Sequence, residues 1–350
     1  MAGERRVDWQ KARDLCVKLY MARGIPEADA YMISDNLILA ELSGVYSHGL
    51  TRMNMYMRYI DNGQANISGE IKVLNEGPAT LLIDGNNCLG TVVATKAVRR
   101  GIEKARGSGA VVVSVRKSNH FGIAAYYTQM ITEQGMLGIA ATNAFPHVAP
   151  WGSYKGYFGT NPISFGAPTM SGKPIILDMA TSVVARGKIS VAAKEGKSIP
   201  LGWALDAYGN PTTDAAAAVK GVLLPIAGPK GYGLSLFIDI LSGVLSGAKF
   251  GGYLGPTDEN TSKDTDVGHF FVIIDISRFM NIEDFNKRIE IMIKDIKALP
   301  KVDGVDEIFM PGEIEQRKTE INKREGLLLN ELLQEDLKRL CERFDVKYSL

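Results

Sequence analysis

The 350-residue sequence has little of what marks several protein classes. Its three cysteines, Cys16, Cys88 and Cys341, are far apart and odd in number, so neither a disulfide framework nor a zinc cluster is predicted. Its four histidines lack any His-x-x-Glu-His spacing, and we therefore expect no metal site. A net charge of +1 gives no reason to expect nucleic acid or an anionic membrane as a partner.

Long apolar runs are also missing. The longest, about residues 232–248, contains Asp239 and several glycines, so it predicts a buried helix rather than a membrane span. No apolar run follows the charged residues near the N-terminus, and we expect no signal peptide. Together with the sparse cysteines, these features predict a protein of the cytoplasm, where thiols stay reduced.

The Gly-x-Gly-x-x-Gly fingerprint of ordinary dinucleotide domains does not follow any predicted strand, which argues against a Rossmann domain. A glycine-rich segment does occur at Gly228-Pro229-Lys230-Gly231-Tyr232-Gly233, before an apolar helix. Its spacing is not that of a Walker A loop. Lys230 and a helix start could hold a phosphate there, although glycines required only by a turn explain the segment as well.

The order of predicted elements favours a mixed α/β (α+β) fold of two or three domains. The first ~75 residues predict helices at about 9–23 and 26–42, and a third helix capped by Ser47. Later strands are predicted near 80–84, 110–115, 137–142, 162–165, 175–177 and 269–276, and helices near 91–106, 120–134, 282–298 and 313–343 with a break at Gly326. Residues 249–268 predict a long loop. We expect residues 1–75 and 285–350 to form a helical domain, and residues 76–284 an α/β domain.

Two polar segments are candidates for chemistry. In a helix capped by Ser47, His48 and Arg52 would lie one turn apart and away from the apolar face. A histidine can carry the hydroxyl proton of a 2-hydroxy acid and an arginine can hold its carboxylate, although an exposed helix start would have the same residues. His120 lies between a predicted strand and helix, where either an anion site or a polar capping loop is reasonable.

The sequence resembles the type 2 malate/L-lactate dehydrogenase family, which also includes ureidoglycolate and sulfolactate dehydrogenases and diketogulonate reductase. The likeness runs over nearly the whole chain, and no single motif is specific. The matching segments are, in order, Ser47-His48-Gly49 with Arg52, Asn119-His120-Phe121-Gly122, Thr142-Asn143, Pro150-Trp151-Gly152, Gly159-Thr160-Asn161-Pro162, Leu177–Ser182, Ile199–Asp206, Pro211–Asp214, Gly228–Gly233, Val267–Phe270 and Pro311-Gly312-Glu313.

The resemblance implies NAD or NADP bound on a non-Rossmann sheet, usually in a homodimer with its site near the subunit interface. It implies hydride exchange with C2 of a small 2-hydroxy or 2-oxo acid, malate or lactate in the first place. Either His48 or His120 would carry the proton. It also implies that the substrate meets Arg52, Asn143 and Thr160, and that the cofactor meets Asp178, Met179, Ala180, Lys230, Gly231, Pro311, Gly312 and Glu313.

Other substrates within this family, and a function other than catalysis, remain open. Ureidoglycolate or a cyclic 2-imino acid could replace the simple 2-oxo acid, because the same hydride and proton geometry serves both. A non-catalytic ligand-binding homologue would keep the fold without the activity. One position departs from the family pattern, since Ala144 stands where many members have serine after the Thr-Asn pair.

Overall fold

The computed structural model describes residues 4–68, 70–255 and 265–350. The helices are α1 (Trp9–Ala22), α2 (Glu27–Leu42), α3 (Met53–Asp61), α4 (Gly90–Ser108), α5 (Ala124–Thr132), α6 (Arg186–Lys194), α7 (Ala215–Lys220), α8 (Pro229–Asp239), α9 (Ile282–Lys297), α10 (Glu313–Glu325) and α11 (Glu331–Arg343). The strands are β1 (Arg5–Val7), β2 (Lys72–Gly77), β3 (Thr80–Asp84), β4 (Ala110–Ser118), β5 (Met136–Thr142), β6 (Ile163–Ala167), β7 (Ile175–Met179), β8 (Ala204–Leu205), β9 (Val222–Leu223), β10 (Val267–Asp275) and β11 (Leu327–Leu329).

A seven-stranded sheet in the order β2-β3-β4-β10-β5-β6-β7 forms the centre of the described chain. Only β3 and β4 run parallel among its neighbouring strands, and the other pairs are antiparallel. Such a sheet cannot be the doubly wound parallel sheet of a Rossmann domain. The predicted mixed α/β fold is therefore confirmed, and the absent glycine fingerprint agrees with it.

The β-branched segment of β4 shows why this strand lies in the middle of the sheet. Val111, Val113 and Val115 are at most 1% exposed, and they alternate with residues that face the other side. This period of two places the three valines on one face, where α4 and α5 pack. That burial fixes the register of β4, because a slip by one residue would turn the valines away from the helices.

A second apolar core joins the two ends of the chain. Side chains of α1, α2 and α3 pack with those of α11, and β1 pairs with β11. The predicted division into a helical domain of residues 1–75 and 285–350 and an α/β domain of residues 76–284 stays a prediction. Helix α9 buries no residue in this core.

Three local expectations need correction or restriction. The third helix begins at Met53 and is not capped by Ser47. The helix after His120 begins only at Ala124. The expected loop of 249–268 includes a 3-10 turn at Gly251–Tyr253 and the start of β10 at Val267, while residues 256–264 lie outside the described part of the chain.

Candidate active site

The segment between α2 and α3 consists of two 3-10 turns, Tyr46–His48 and Leu50–Arg52, joined at Gly49. The N–H of Leu50 donates to Oε1 of Glu41 at 2.8 Å. A Cβ on Gly49 would lie 2.2 Å from that same oxygen, so only glycine lets the loop approach the carboxyl group. The prediction of one continuous helix through His48 and Arg52 was therefore wrong. The buried carboxyl group of Glu41, which lies outside this segment, accepts the hydrogen bond from the N–H of Leu50.

His48 and His120 are brought together by this loop and by the turn after β4. Their rings stack with centroids 5.4 Å apart and planes 23° apart. The Oγ of Ser47 lies 2.9 Å from Nδ1 of His48. Sequence reasoning treated the two histidines as alternatives, and the structure places them side by side.

The turn that carries His120 is fixed by Asn36 of α2. Its Nδ2 donates to the carbonyl of Phe121 at 3.3 Å, and its Oδ1 accepts from the N–H of Ile123 at 3.4 Å. Gly122, at φ +80°, leaves room for this amide, since a Cβ there would lie 1.9 Å from Oδ1. One helix thus positions both histidine loops, through Asn36 for His120 and Glu41 for His48.

The ring of His120 has a defined hydrogen-bonding state at Nδ1. The N–H of Gly122 points at Nδ1 from 3.3 Å, and the hydroxyl of Tyr56 lies 2.8 Å from the same atom. Because a backbone N–H can only donate, Nδ1 is the acceptor and the proton of the neutral ring resides on Nε2. Tyr56 is fully buried, so its hydroxyl is held at this contact.

Burial and neighbouring charge keep both histidines neutral. Desolvation, followed by the positive charge of Arg52, lowers the pKa of His48 to about 4. Desolvation lowers the pKa of His120 well below its usual 6.5, and Arg52, His48 and His269 add to this effect. An anion bound beside Arg52 would cancel part of that repulsion and raise both pKa values.

The charged side chain of Arg52 lines the cavity. Its Nε donates to the carbonyl of Ser47 at 2.6 Å, and its Nη1 contacts Sδ of Met55 at 3.6 Å. Among the described residues, no carboxylate forms an ion pair with it. The remaining guanidinium N–H groups suit a bidentate carboxylate.

These residues line a cavity of about 1130 Å³ that continues from the histidines past the end of β7 to the start of α10. Its walls include the following predicted site residues: His48, Arg52, His120, Asn143, Thr160, Asp178, Met179, Ala180, Pro311 and Gly312. Lys230, Gly231 and Glu313 are not part of the walls in the single chain. Glu313 instead pairs with Lys297 and Arg317, and Lys230 is exposed at the first turn of α8.

The two segments predicted to contact the cofactor meet across a backbone hydrogen bond. The N–H of Ile176 in β7 donates to the carbonyl of Pro311 at 3.1 Å, and Gly312 then begins α10 with no side-chain cap. Asp178 accepts from the N–H of Ala125 at the start of α5, at 2.8 Å. The uncapped helix start leaves backbone N–H groups available to an anion at this end of the cavity.

Asn143 and His269 have structural contacts behind the cavity wall. The amide of Asn143 donates to the carbonyl of Lys249 and accepts from the N–H of Gly268. His269 is fully buried and uses both ring nitrogens, with Thr142 at 2.8 Å and Ser118 at 2.7 Å. Burial lowers the pKa of His269 to about 3, so it stays neutral and joins the strand ends that carry His120 and Asn143.

Sequence reasoning missed several residues of the site. Asn36, Glu41 and Tyr56 are buried polar groups on helices, and Arg186 and His147 line the cavity from farther along the chain. The uncommon placement of an amide and a carboxyl group in the largely buried α2 was the available signal. In the described residues, no group of three or more His, Cys, Asp or Glu side chains could hold a metal ion. None of the described helices has the length and apolar character that a bilayer crossing requires.

Comparison with known proteins gives consistent matches over the whole chain. The family model described as malate/L-lactate dehydrogenase matches residues 7–338. A malate dehydrogenase of Pyrococcus horikoshii is 41% identical and is aligned over 98% of this chain and 96% of its own. An L-sulfolactate dehydrogenase of Methanocaldococcus jannaschii is 38% identical over 95% of each chain. The solved sulfolactate dehydrogenase structure from that organism superposes with a TM-score of 0.92 at 37% identity, covering 98% of both chains.

Proposed function

The chain belongs to the malate/L-lactate dehydrogenase family and is a 2-hydroxy acid dehydrogenase, and on that premise we propose that it interconverts malate and oxaloacetate, with lactate and pyruvate as the second candidate pair. The stacked His48 and His120 beside Arg52 carry this proposal, because they combine a proton carrier with a carboxylate site in one cavity. The relatives named for malate and for sulfolactate support a substrate with a second anionic group.

The family implies a nicotinamide cofactor, and the cavity suits one in size and charge. Its volume of about 1130 Å³ exceeds the roughly 300–1,000 Å³ of ordinary small-ligand sites. The uncapped start of α10 lies at its wall, which favours the phosphates of a dinucleotide. When bound, the nicotinamide supplies or accepts the hydride. Asp178, Met179, Ala180, Pro311 and Gly312 are the wall residues proposed to hold it.

For the proton, we assign the role to His120, with His48 as the alternative. The acceptor state of Nδ1 leaves a proton on Nε2 of the neutral ring, and a second proton taken up at Nδ1, beside the Tyr56 hydroxyl, gives the imidazolium. The imidazolium donates its Nε2 proton to the substrate oxygen as 2-oxo acid becomes 2-hydroxy acid, which leaves a neutral ring protonated at Nδ1. In the oxidising direction, the free Nε2 of that ring accepts the hydroxyl proton. Arg52 holds the C1 carboxylate, and this anion raises the pKa of both histidines and favours proton transfer at neutral pH.

A panel of 2-oxo acids assayed with NADH and with NADPH tests this function. We expect oxidation of the reduced cofactor with oxaloacetate and pyruvate, faster with oxaloacetate, and the panel also decides between NAD and NADP. Absence of turnover with every 2-oxo acid, combined with reduction of a cyclic imine, would replace the proposed activity.

We also propose a homodimer formed through an exposed apolar surface on and after α8. Four large apolar side chains of this surface are exposed in the single chain: Phe237 (63%), Val244 (51%), Leu245 (57%) and Tyr253 (70%). Large apolar side chains exposed within one short stretch of the chain fit a protein interface. We expect light scattering after size-exclusion chromatography to give twice the 38.1 kDa chain mass, and a Phe237→Asp variant to shift the protein toward monomer.

Localisation in the cytoplasm is part of the same proposal. Cys16, Cys88 and Cys341 are buried, and none of them is in a disulfide with another described residue, which agrees with a reducing compartment. Thiol titration of the purified protein should give three reactive groups after denaturation. Detection of a disulfide in protein isolated under thiol-blocking conditions would count against this compartment.

A further inference from the structure

A second guanidinium lines the cavity at the start of α6. Arg186 is half-buried, its Nη1 donates to Nδ1 of His147, and its Nη2 donates to the carbonyl of Val219 at 3.4 Å. Two other segments of the chain thus hold the planar group in place. His147 accepts this bond at Nδ1 and so acts as a support for the cation rather than as a counter-ion.

Arg186 has no acidic partner among the residues that the structure describes. Within residues 4–68, 70–255 and 265–350, no Asp or Glu oxygen lies within 4.0 Å of its nitrogens, and two of its five N–H groups are engaged. Lys173, which also lines the cavity, differs from Arg186 in that it pairs with Glu320 at 2.5 Å. A half-buried cation with donors left over favours binding of an anion.

The position of Arg186 connects it to the reacting end of the cavity. His147 lies four residues after Asn143 on the same wall, and Thr142 is linked through His269 to Ser118, two residues before His120. The cavity therefore has two guanidinium groups, Arg52 beside the histidines and Arg186 beyond the Asn143 segment. A second anionic group on a substrate held at Arg52 needs a cationic partner, and Arg186 is the other guanidinium among the described wall residues.

We propose that Arg186, held by His147, binds the distal anionic group of the substrate, a carboxylate or a sulfonate at C3. This inference rests on the proposed function and restricts its substrate range, because an anion site at Arg186 favours 2-oxo acids with two anionic groups over pyruvate. Arg186 is then a specificity residue that takes no part in proton or hydride transfer.

The test compares oxaloacetate, its 3-sulfo analogue and pyruvate in the full-length enzyme and in Arg186→Gln. We expect kcat/KM for both dianionic substrates to fall roughly ten- to hundredfold, mainly through KM, with pyruvate changed less than about twofold. The dianionic substrate whose kcat/KM falls more in Arg186→Gln identifies the distal group, carboxylate or sulfonate, that Arg186 binds better. Lys188→Gln, two residues along the same helix and exposed, is the matched control and should behave as wild type.

An equal loss with all three substrates, or a raised KM for the reduced cofactor, would overturn the inference and place Arg186 at the cofactor. Calorimetric binding of malonate against acetate gives a readout that does not need turnover. If the wild type turned over no 2-oxo acid but malonate binding was lost in Arg186→Gln, the anion site would stand and the proposed activity would fall. If malonate bound equally well to wild type and to Arg186→Gln, the assignment of Arg186 as an anion site would be wrong.

Discussion

Tyr56 and His120 form a contact that defines the chemistry of the site: the buried hydroxyl lies 2.8 Å from Nδ1 of the ring. The N–H of Gly122 approaches the same nitrogen, so both groups hold the Nε2-protonated form of the neutral imidazole. This relationship joins α3 to the turn after β4 and explains why a buried tyrosine lies behind the cavity wall.

Replacing Tyr56 by phenylalanine removes one of the two donors at Nδ1 and leaves the packing in place. We expect kcat to fall roughly tenfold, corresponding to one lost hydrogen bond of about 1.4 kcal/mol, while KM changes little. Nitrogen-15 NMR of the histidine rings should show His120 losing its preference for the Nε2-protonated form. An unchanged tautomer with a full loss of activity would mean that Tyr56 acts on the substrate directly.

Glu41 connects activity to stability through the loop of His48. Burial raises the pKa of its carboxyl group to about 7, so the folded state binds a proton that the unfolded state has released above pH 4.5. Stability contributed by this group is therefore present at low pH and is lost as the pH rises through about 7, with a total of roughly 3 kcal/mol.

In Glu41→Gln, we expect the decrease in melting temperature between pH 5 and 8 to be shallower than in wild type, because the neutral amide still accepts from Leu50 and does not ionise. Glu41→Ala should lose that acceptor and lower kcat by misplacing His48. Parallel melting curves for wild type and Glu41→Gln over this pH range would contradict the account.

Arg52 supplies the expected carboxylate site, and a substitution should affect every 2-oxo acid alike. We expect Arg52→Gln to reduce kcat/KM roughly a hundredfold with both oxaloacetate and pyruvate, since a charge-assisted bidentate contact is lost. Arg52→Lys should restore part of this loss as a point charge. Steady-state kinetics provides the measurement, and a loss limited to the dianionic substrate would exchange the roles proposed for Arg52 and Arg186.

Lys230 remains a prediction from the sequence that the single chain does not bring to the cavity. If it contacts the cofactor from its place at the start of α8, Lys230→Ala should weaken NADH or NADPH binding by about three- to tenfold in a fluorescence titration. Lys220→Ala, an exposed lysine at the end of α7, serves as the control. If the cofactor dissociation constant of Lys230→Ala equalled that of wild type, Lys230 would not be a cofactor-binding residue.

Local pattern predicted most of the regular elements. The alternation of valines in β4, the helix ending near Leu42 and the break at Gly326 all depend on neighbouring residues, and each occurs close to its expected position. The family motifs also predicted His48, Arg52 and His120 as a group. These features could be predicted because each depends on residues that are close together in the sequence.

The supports of the site could not be found in this way. The loop around His48 departs from a helix because Glu41 takes the N–H of Leu50, and the turn after His120 is fixed by Asn36, 85 residues from Phe121. Arg186 is held at the cavity by contacts with His147 and Val219, which no helical or strand periodicity predicts. Long-range contacts of buried polar groups decide these local conformations.

The most direct test of the central claim is the turnover of His120→Ala with oxaloacetate, measured beside its affinity for the reduced cofactor. The account predicts that kcat falls at least about a hundredfold, as expected when a positioned proton donor is removed, while the cofactor dissociation constant stays within about twofold of wild type. Near-wild-type turnover in His120→Ala, with activity lost instead in His48→Ala, would contradict the assignment and give the proton to His48.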